Sequence, residues 1–177
     1  MKLRAAIAYL ALAIALAATG FGCGYRVAGR ANTLPPELHT IAVPAFVNKT
    51  QRYRIEQRMT ESVIREFLAR TRYRIVSDPA GADAVVHGEI TGLESSSVVF
   101  DPATGRATTM LVQVRMRVWM EESATKKILF RNDKYLFRQE YQISTDVRSF
   151  FDEQDPALDR MSRDFASHVV ADILENF

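Results

Sequence analysis

A single cysteine among 177 residues, Cys23, excludes an internal disulfide and any cysteine-based metal site or redox pair. Histidine is equally scarce: His39, His87 and His168 lie on separate stretches without ligand spacing, so no metal is expected. There is no Gly-x-Ser-x-Gly elbow, no His-Glu-x-x-His helix and no glycine-rich phosphate loop. Ser95-Ser96-Ser97 is the nearest approach to a nucleophile cluster, and no motif sets a histidine or acid beside it. The acidic pairs Glu121-Glu122 and Asp152-Glu153 border turns and caps. The expectation is a chain that is not an enzyme and carries no cofactor. Excess charge is missing too, with 23 basic residues against 21 acidic ones, which gives no overall reason to expect a nucleic-acid partner.

Long apolar runs are limited to one. After Lys2 and Arg4 the chain is apolar from Ala5 to Ala18, 14 residues, and then reaches Gly20-Phe21-Gly22-Cys23. That run is short of the roughly 20 residues a membrane-spanning helix needs, and no basic stop-transfer patch follows it. Residues 1–22 therefore read as a signal peptide. Two cuts compete: one makes Cys23 the acylated first residue of a lipoprotein, the other falls after an Ala-x-Ala such as Ala15-Leu16-Ala17. Position favours acylation, because an exposed unpaired thiol is a liability in an oxidising compartment. Gly24 lacks the aspartate that retains bacterial lipoproteins in the inner membrane, which points to the outer membrane. Loss of Lys2 and Arg4 leaves 21 basic and 21 acidic residues, a net charge of zero.

Residues 23–37 hold Gly24, Gly29, Asn32, Pro35 and Pro36 without an apolar period and read as lipid anchor and flexible tether. A single domain is expected over 38–177. His39 to Phe46 alternates as a first strand, with Pro44 marking an edge or an end. From Arg52 to Arg70, Ile55, Met59, Val63 and Phe67 recur on one helical face. Tyr73 to Ser77 is a second strand, completing a right-handed parallel crossover. Three long extended runs follow, at about 84–100, 108–121 and 127–141, separated by Asp101-Pro102-Ala103-Thr104-Gly105 and by Glu122 to Lys126. They form an antiparallel meander.

In its middle run Val112, Val114, Met116, Val118 and Met120 share one face, and Gln113, Arg115, Arg117, Trp119 and Glu121 the other. In its last run Tyr135 and Phe137 oppose the parity of Ile128 and Phe130, so a bulge near Asn132-Asp133 or two partly covered faces are expected. Asp155 and Pro156 suit the N-cap and first turn of a closing helix, whose stripe is Leu158, Met161, Phe165, Val169 and Ile173. The predicted architecture is α+β: a two-layer sandwich in the order β-α-β-β-β-β-α, with a mixed four- to five-stranded sheet and two helices on one face.

With catalysis set aside, binding remains. Arg115 and Arg117 project from the polar face of the middle run, and Arg106, Lys126 and Lys127 lie in or beside the two turns. These five are the candidate ligand-binding residues, suited to phosphate-bearing lipid heads because guanidinium forks match phosphate oxygens.

The order of elements also carries a likeness. Cys23-Gly24-Tyr25-Arg26, then Leu34-Pro35, then Thr40 to Thr50 (Thr-Ile-Ala-Val-Pro-Ala-Phe-Val-Asn-Lys-Thr), the Thr60-Glu61 to Phe67-Leu68 helix and Ala82 to Ile90 together resemble the LPS-assembly lipoprotein family, LptE. That resemblance implies a lipid-anchored, periplasm-facing outer-membrane protein that plugs the β-barrel LptD and helps lipopolysaccharide reach the outer leaflet. It implies direct lipopolysaccharide contact through basic residues of the sheet and hairpins. The Ile-Ala-Val-x-x-Phe-x-Asn-x-Thr stretch also resembles envelope lipoproteins of the curli-secretion-pore and peptidoglycan-synthase-activator types. The continuous three-strand meander before a terminal helix favours the first likeness.

Overall fold

The computed structural model describes residues 34–143 and 154–175. The expected signal peptide, Cys23 and most of the expected tether lie outside the described residues. Within them, β1 (Thr40–Ala42), β2 (Val47–Asn48), α1 (Ile55–Arg70), β3 (Arg74–Val76), β4 (Ala84–Phe100), β5 (Ala107–Glu122), β6 (Ile128–Gln142) and α2 (Gln154–Glu175) follow in that order. The sheet runs β3-β1-β4-β5-β6, with β2 added against β4.

The expected first strand is broken in two, which brings the sheet to six strands. β1 pairs in parallel with both β3 and β4, and Val43 extends its ladder by donating to the Val76 carbonyl at 2.8 Å. Pro44 has no N–H with which to continue. The chain crosses the gap with the Phe46 amide donating to Thr60 Oγ1 of α1 at 3.0 Å, and then pairs again as Val47–Asn48 beside Glu89 and Ile90. Asn48 holds the next turn: its amide donates to the Arg52 carbonyl and to Glu56, and its oxygen accepts from the Thr50 amide and hydroxyl. The Phe-x-Asn-x-Thr motif is therefore a scaffold that delivers the chain into α1.

α1 begins at Ile55, three residues later than its periodicity suggested, because Arg54 turns the chain through a left-handed conformation, φ 60°. It ends where Thr71 becomes extended and donates its amide to the Phe67 carbonyl. α2 starts at Gln154, so Asp155 is inside the first turn rather than capping it. There Asp155 receives Arg52 at 2.9 Å and Arg58 at 3.5 Å, tying the two helices together. Arg58 also reaches Asp159, and Arg70 reaches Ser167, so the helices run side by side in the same direction.

Both helices pack on the sheet face that carries Val86, Ile90 and the alternating Val112, Val114, Met116, Val118 and Met120, all fully buried or nearly so. Leu34 and Leu38 join this core, so packing begins no later than Leu34. Gly88 is a close approach: a Cβ there would lie 2.5 Å from the Phe46 ring, which rests directly on the backbone. The expected bulge in the last strand is present. Met116 pairs with Tyr135 and Val118 with Asn132, so one residue of β5, Arg117, opposes two of β6, Asp133 and Lys134. The extra residue reverses the parity of β6 and lets both Phe130 and Tyr135 face the core.

Candidate functional site

The sheet face away from the helices carries the polar residues of β4, β5 and β6. Antiparallel register sets Glu89 opposite Arg117, His87 opposite Trp119, and Trp119 opposite Arg131 on its other side. A second register shift, between Ile90 and Gly92, brings Glu94 within reach of Arg115. The result is an alternation of charge. Arg117 meets Glu89 at 2.7 Å, Arg115 meets Glu94, and Arg131 meets Asp133 at 2.8 Å. His87 stacks on Trp119 with ring centroids 5.0 Å apart and planes 13° from parallel.

Glu89 is the pivot. Its side chain is only 10% exposed, and it receives Lys49 at 2.5 Å from the end of β2 as well as Arg117 from β5. Lys49 first and Arg117 second hold its carboxyl below the usual carboxylate range. Asp83 behaves likewise at the head of β4, where one oxygen accepts the amides of both Thr40 and His39 at 2.8 Å and its pKa is lowered, by the Thr40 bond most. A carboxyl whose folded pKa is depressed stabilises the fold above its unfolded pKa, near 4, and that contribution is lost as pH falls through the folded value. Unfolding free energy should therefore hold level at neutral pH and decline below about pH 4. Glu89→Gln should lower stability at pH 7 by about 1–3 kcal/mol and flatten that decline. Urea titrations of both proteins from pH 7 to pH 3 measure it, and parallel slopes would exclude Glu89 as a contributor.

The five sequence-predicted residues are not gathered in one place. Arg115 and Arg117 share the open sheet face. Lys126 and Lys127 sit in the β5–β6 turn, and Arg106 sits in the β4–β5 turn at the opposite end of β5, about 50 Å away along the strand. The two turns are alike. Asp101 N donates to Arg106 O and Gly105 N to Asp101 O; Glu122 N donates to Lys127 O and Lys126 N to Glu122 O. Gly105 has φ 68° and Lys126 has φ 60°, so a lysine fills the left-handed position that glycine fills in the matching turn. Its ammonium meets Glu121 at 3.2 Å. A side chain in that conformation costs about 1–2 kcal/mol, partly offset by the greater unfolded freedom of glycine. Lys126→Gly should raise stability by about 0.5–1 kcal/mol, read as a higher urea midpoint with an unchanged slope. A lower midpoint would mean the lysine is held for its contacts.

Ser95 and Ser97 are not activated: Ser95 Oγ accepts from the Gln154 amide at 3.4 Å, and Ser97 Oγ meets the Met110 sulfur at 3.2 Å. His168 packs its ring on Phe137 and sets Nδ1 against the Asp164 carbonyl of its own helix. Among the described residues, no three His, Cys, Asp or Glu gather to hold a metal, and no helix is long and apolar enough to cross a membrane. Sequence reasoning did not find Glu89, Glu94 or Lys49. The spacing of Glu89 and Arg117 carries no signal, since only the pairing register makes them neighbours.

Residues 38–173 match the model of a protein family described as LptE, lipopolysaccharide-assembly. No curated protein matches the chain. Among solved structures, the solution structure of an uncharacterized lipoprotein B from Nitrosomonas europaea superposes with a TM-score of 0.56 at 12% identity, covering 85% of this chain and 90% of that one. The crystal structure of the rare lipoprotein B from Shewanella oneidensis gives 0.52 at 13% identity, over 78% and 96%. At these identities the two structures support the fold: two helices on a mixed open sheet.

Proposed function

The chain belongs to the LptE family of lipopolysaccharide-assembly proteins, and from that premise we propose that it is a noncatalytic outer-membrane lipoprotein, acylated on Cys23, that occupies and stabilises the β-barrel LptD. The observation that carries the reading is the family match, whose bounds, residues 38–173, take in the sheet and nearly all of both helices. A two-layer domain with one open sheet face suits a plug, because it offers a broad polar surface to the wall of an enclosing barrel.

Direct lipopolysaccharide contact is the second part of the proposal. Arg115, Arg117, Lys126 and Lys127 would meet phosphates along the open face and its turn, with Arg106 at the far hairpin. Arg115 and Arg117 each already have a carboxylate, so a lipid phosphate must compete with Glu94 and Glu89 for them. That competition predicts salt-sensitive and modest affinity at this face.

Affinity capture of the tagged, acylated protein from detergent-solubilised outer membranes tests the first part. The expected result is one large barrel, identified as LptD by mass spectrometry, in near-equal amount. Recovery of the protein chiefly as rings of itself would overturn it. For the second part, Arg115→Gln/Arg117→Gln/Lys126→Gln/Lys127→Gln should weaken lipopolysaccharide binding at least tenfold. Unchanged binding by a folded variant removes these residues from the site.

A further inference from the structure

On the open sheet face Arg115, Arg117 and Arg131, and Lys126 in the adjoining turn, each meet a carboxylate. The helix layer carries a second group of arginines. Between α1 and α2 lies a groove of about 590 Å³ lined by Arg54, Arg58, Arg65 and Arg163 against two acids, Glu61 and Asp159. Arg58 is spent, since one nitrogen serves both the Asp155 carbonyl and the Asp159 carboxylate at 2.8–2.9 Å. Arg65 reaches Glu61 only at 3.9 Å, with both side chains about two-thirds exposed. Arg54 lies over the ring of Tyr53 at 4.8 Å, and among the described residues no acid pairs with it or with Arg163. Among the described residues the groove thus holds two guanidinium groups, those of Arg54 and Arg163, that no carboxylate pairs with.

We infer that this groove binds a phosphate-bearing anion. Arg54, Arg65 and Arg163 approach from α1 and α2 together, and a phosphate offers three oxygens to guanidinium forks from more than one direction. The groove is open to solvent and has room for a phosphorylated sugar as well as for a bare phosphate. This site is separate from the sheet residues proposed above and does not depend on them.

The phosphate could belong to a glycolipid head or be free, and two probes distinguish these sources in the full-length acylated protein in detergent. Pyrophosphate is titrated calorimetrically, and purified lipopolysaccharide is titrated alone and in competition with pyrophosphate. Arg54→Gln/Arg163→Gln should weaken binding of at least one probe tenfold or more while its unfolding curve stays that of the wild type, because neither arginine has an acidic partner among the described residues. Arg72→Gln, at the end of α1, should bind as the wild type does. Loss confined to lipopolysaccharide assigns the groove to a glycolipid head, and loss confined to pyrophosphate assigns it to free phosphate. Wild-type affinity of the double variant for both probes, or no binding of either probe by the wild type, overturns the site. Loss of lipopolysaccharide binding in the four-residue sheet variant, with wild-type affinity of the double variant for both probes, would overturn the groove and leave the sheet reading standing.

Discussion

Phe165→Ala is expected to lower the unfolding free energy by about 3–5 kcal/mol, the range for emptying a buried aromatic position. Phe165 is fully buried and meets three other aromatic rings edge-on: Phe137 at 5.3 Å, Tyr135 at 6.2 Å and Phe46 at 6.3 Å. Those partners come from β6 and from the segment between β1 and β2, so one ring joins α2 to both sides of the sheet. The cavity left by alanine could not close without moving all three, and each edge contact contributes about 0.5–1.5 kcal/mol beyond area burial. A domain of this size has about 5–15 kcal/mol in total, so the loss is a large share of it. Urea unfolding should show a lower midpoint with the same slope. Phe100→Ala, at a side chain that is 55% exposed, should change stability by less than about 0.5 kcal/mol. If the two variants were equally mild, the aromatic cluster would not be the fastening between layers.

The fold was legible in the sequence wherever a segment was long enough to show a period. Ile55, Met59, Val63 and Phe67 mark α1, and the alternation from Val112 to Met120 marks β5 and its buried face. The break in parity between Phe130 and the pair Tyr135 and Phe137 could be read as well, but it fitted a bulge or two partly covered faces alike, and the register decides for the bulge. β2 could not be read: two residues carry no period, and Val47–Asn48 is a strand only because Glu89 and Ile90 lie beside it. The site was legible in part. Parity placed Arg115 and Arg117 on the open face, but their neutralisation by Glu94 and Glu89 depends on the antiparallel register and on a shift between Ile90 and Gly92. Arg54 and Arg163 are more than 100 residues apart, and only the alignment of the two helices brings them to one groove. Sequence ranks charges by where they lie along an element. The fold ranks them by whether an opposite charge reaches them, and here the two rankings differ.

Cys23→Ala is expected to move the protein from the membrane fraction to the soluble periplasmic fraction almost completely, with the unfolding curve unchanged. Each buried methylene of an acyl chain contributes about 0.8 kcal/mol, and one chain anchors only marginally, whereas the two or three of a bacterial lipoprotein hold firmly. Removing all of them therefore takes membrane affinity from nearly permanent to negligible. Partner capture should weaken as well, because anchoring confines the domain near a barrel in the same membrane and raises its effective concentration. An acylated Cys23 would confine it tightly: ten residues lie between Cys23 and Leu34, which is already buried in the core, so the extended chain reaches at most about 40 Å. Mass spectrometry of the wild-type N-terminus decides the premise. A mature chain that begins at an acylated Cys23 supports it. A chain cut after Ala17, with a free thiol, would sink it, and the Ala variant would then fractionate as the wild type does. In that case the barrel would have to be found by diffusion alone, and the open sheet face would have to supply all the affinity that the anchor otherwise makes unnecessary.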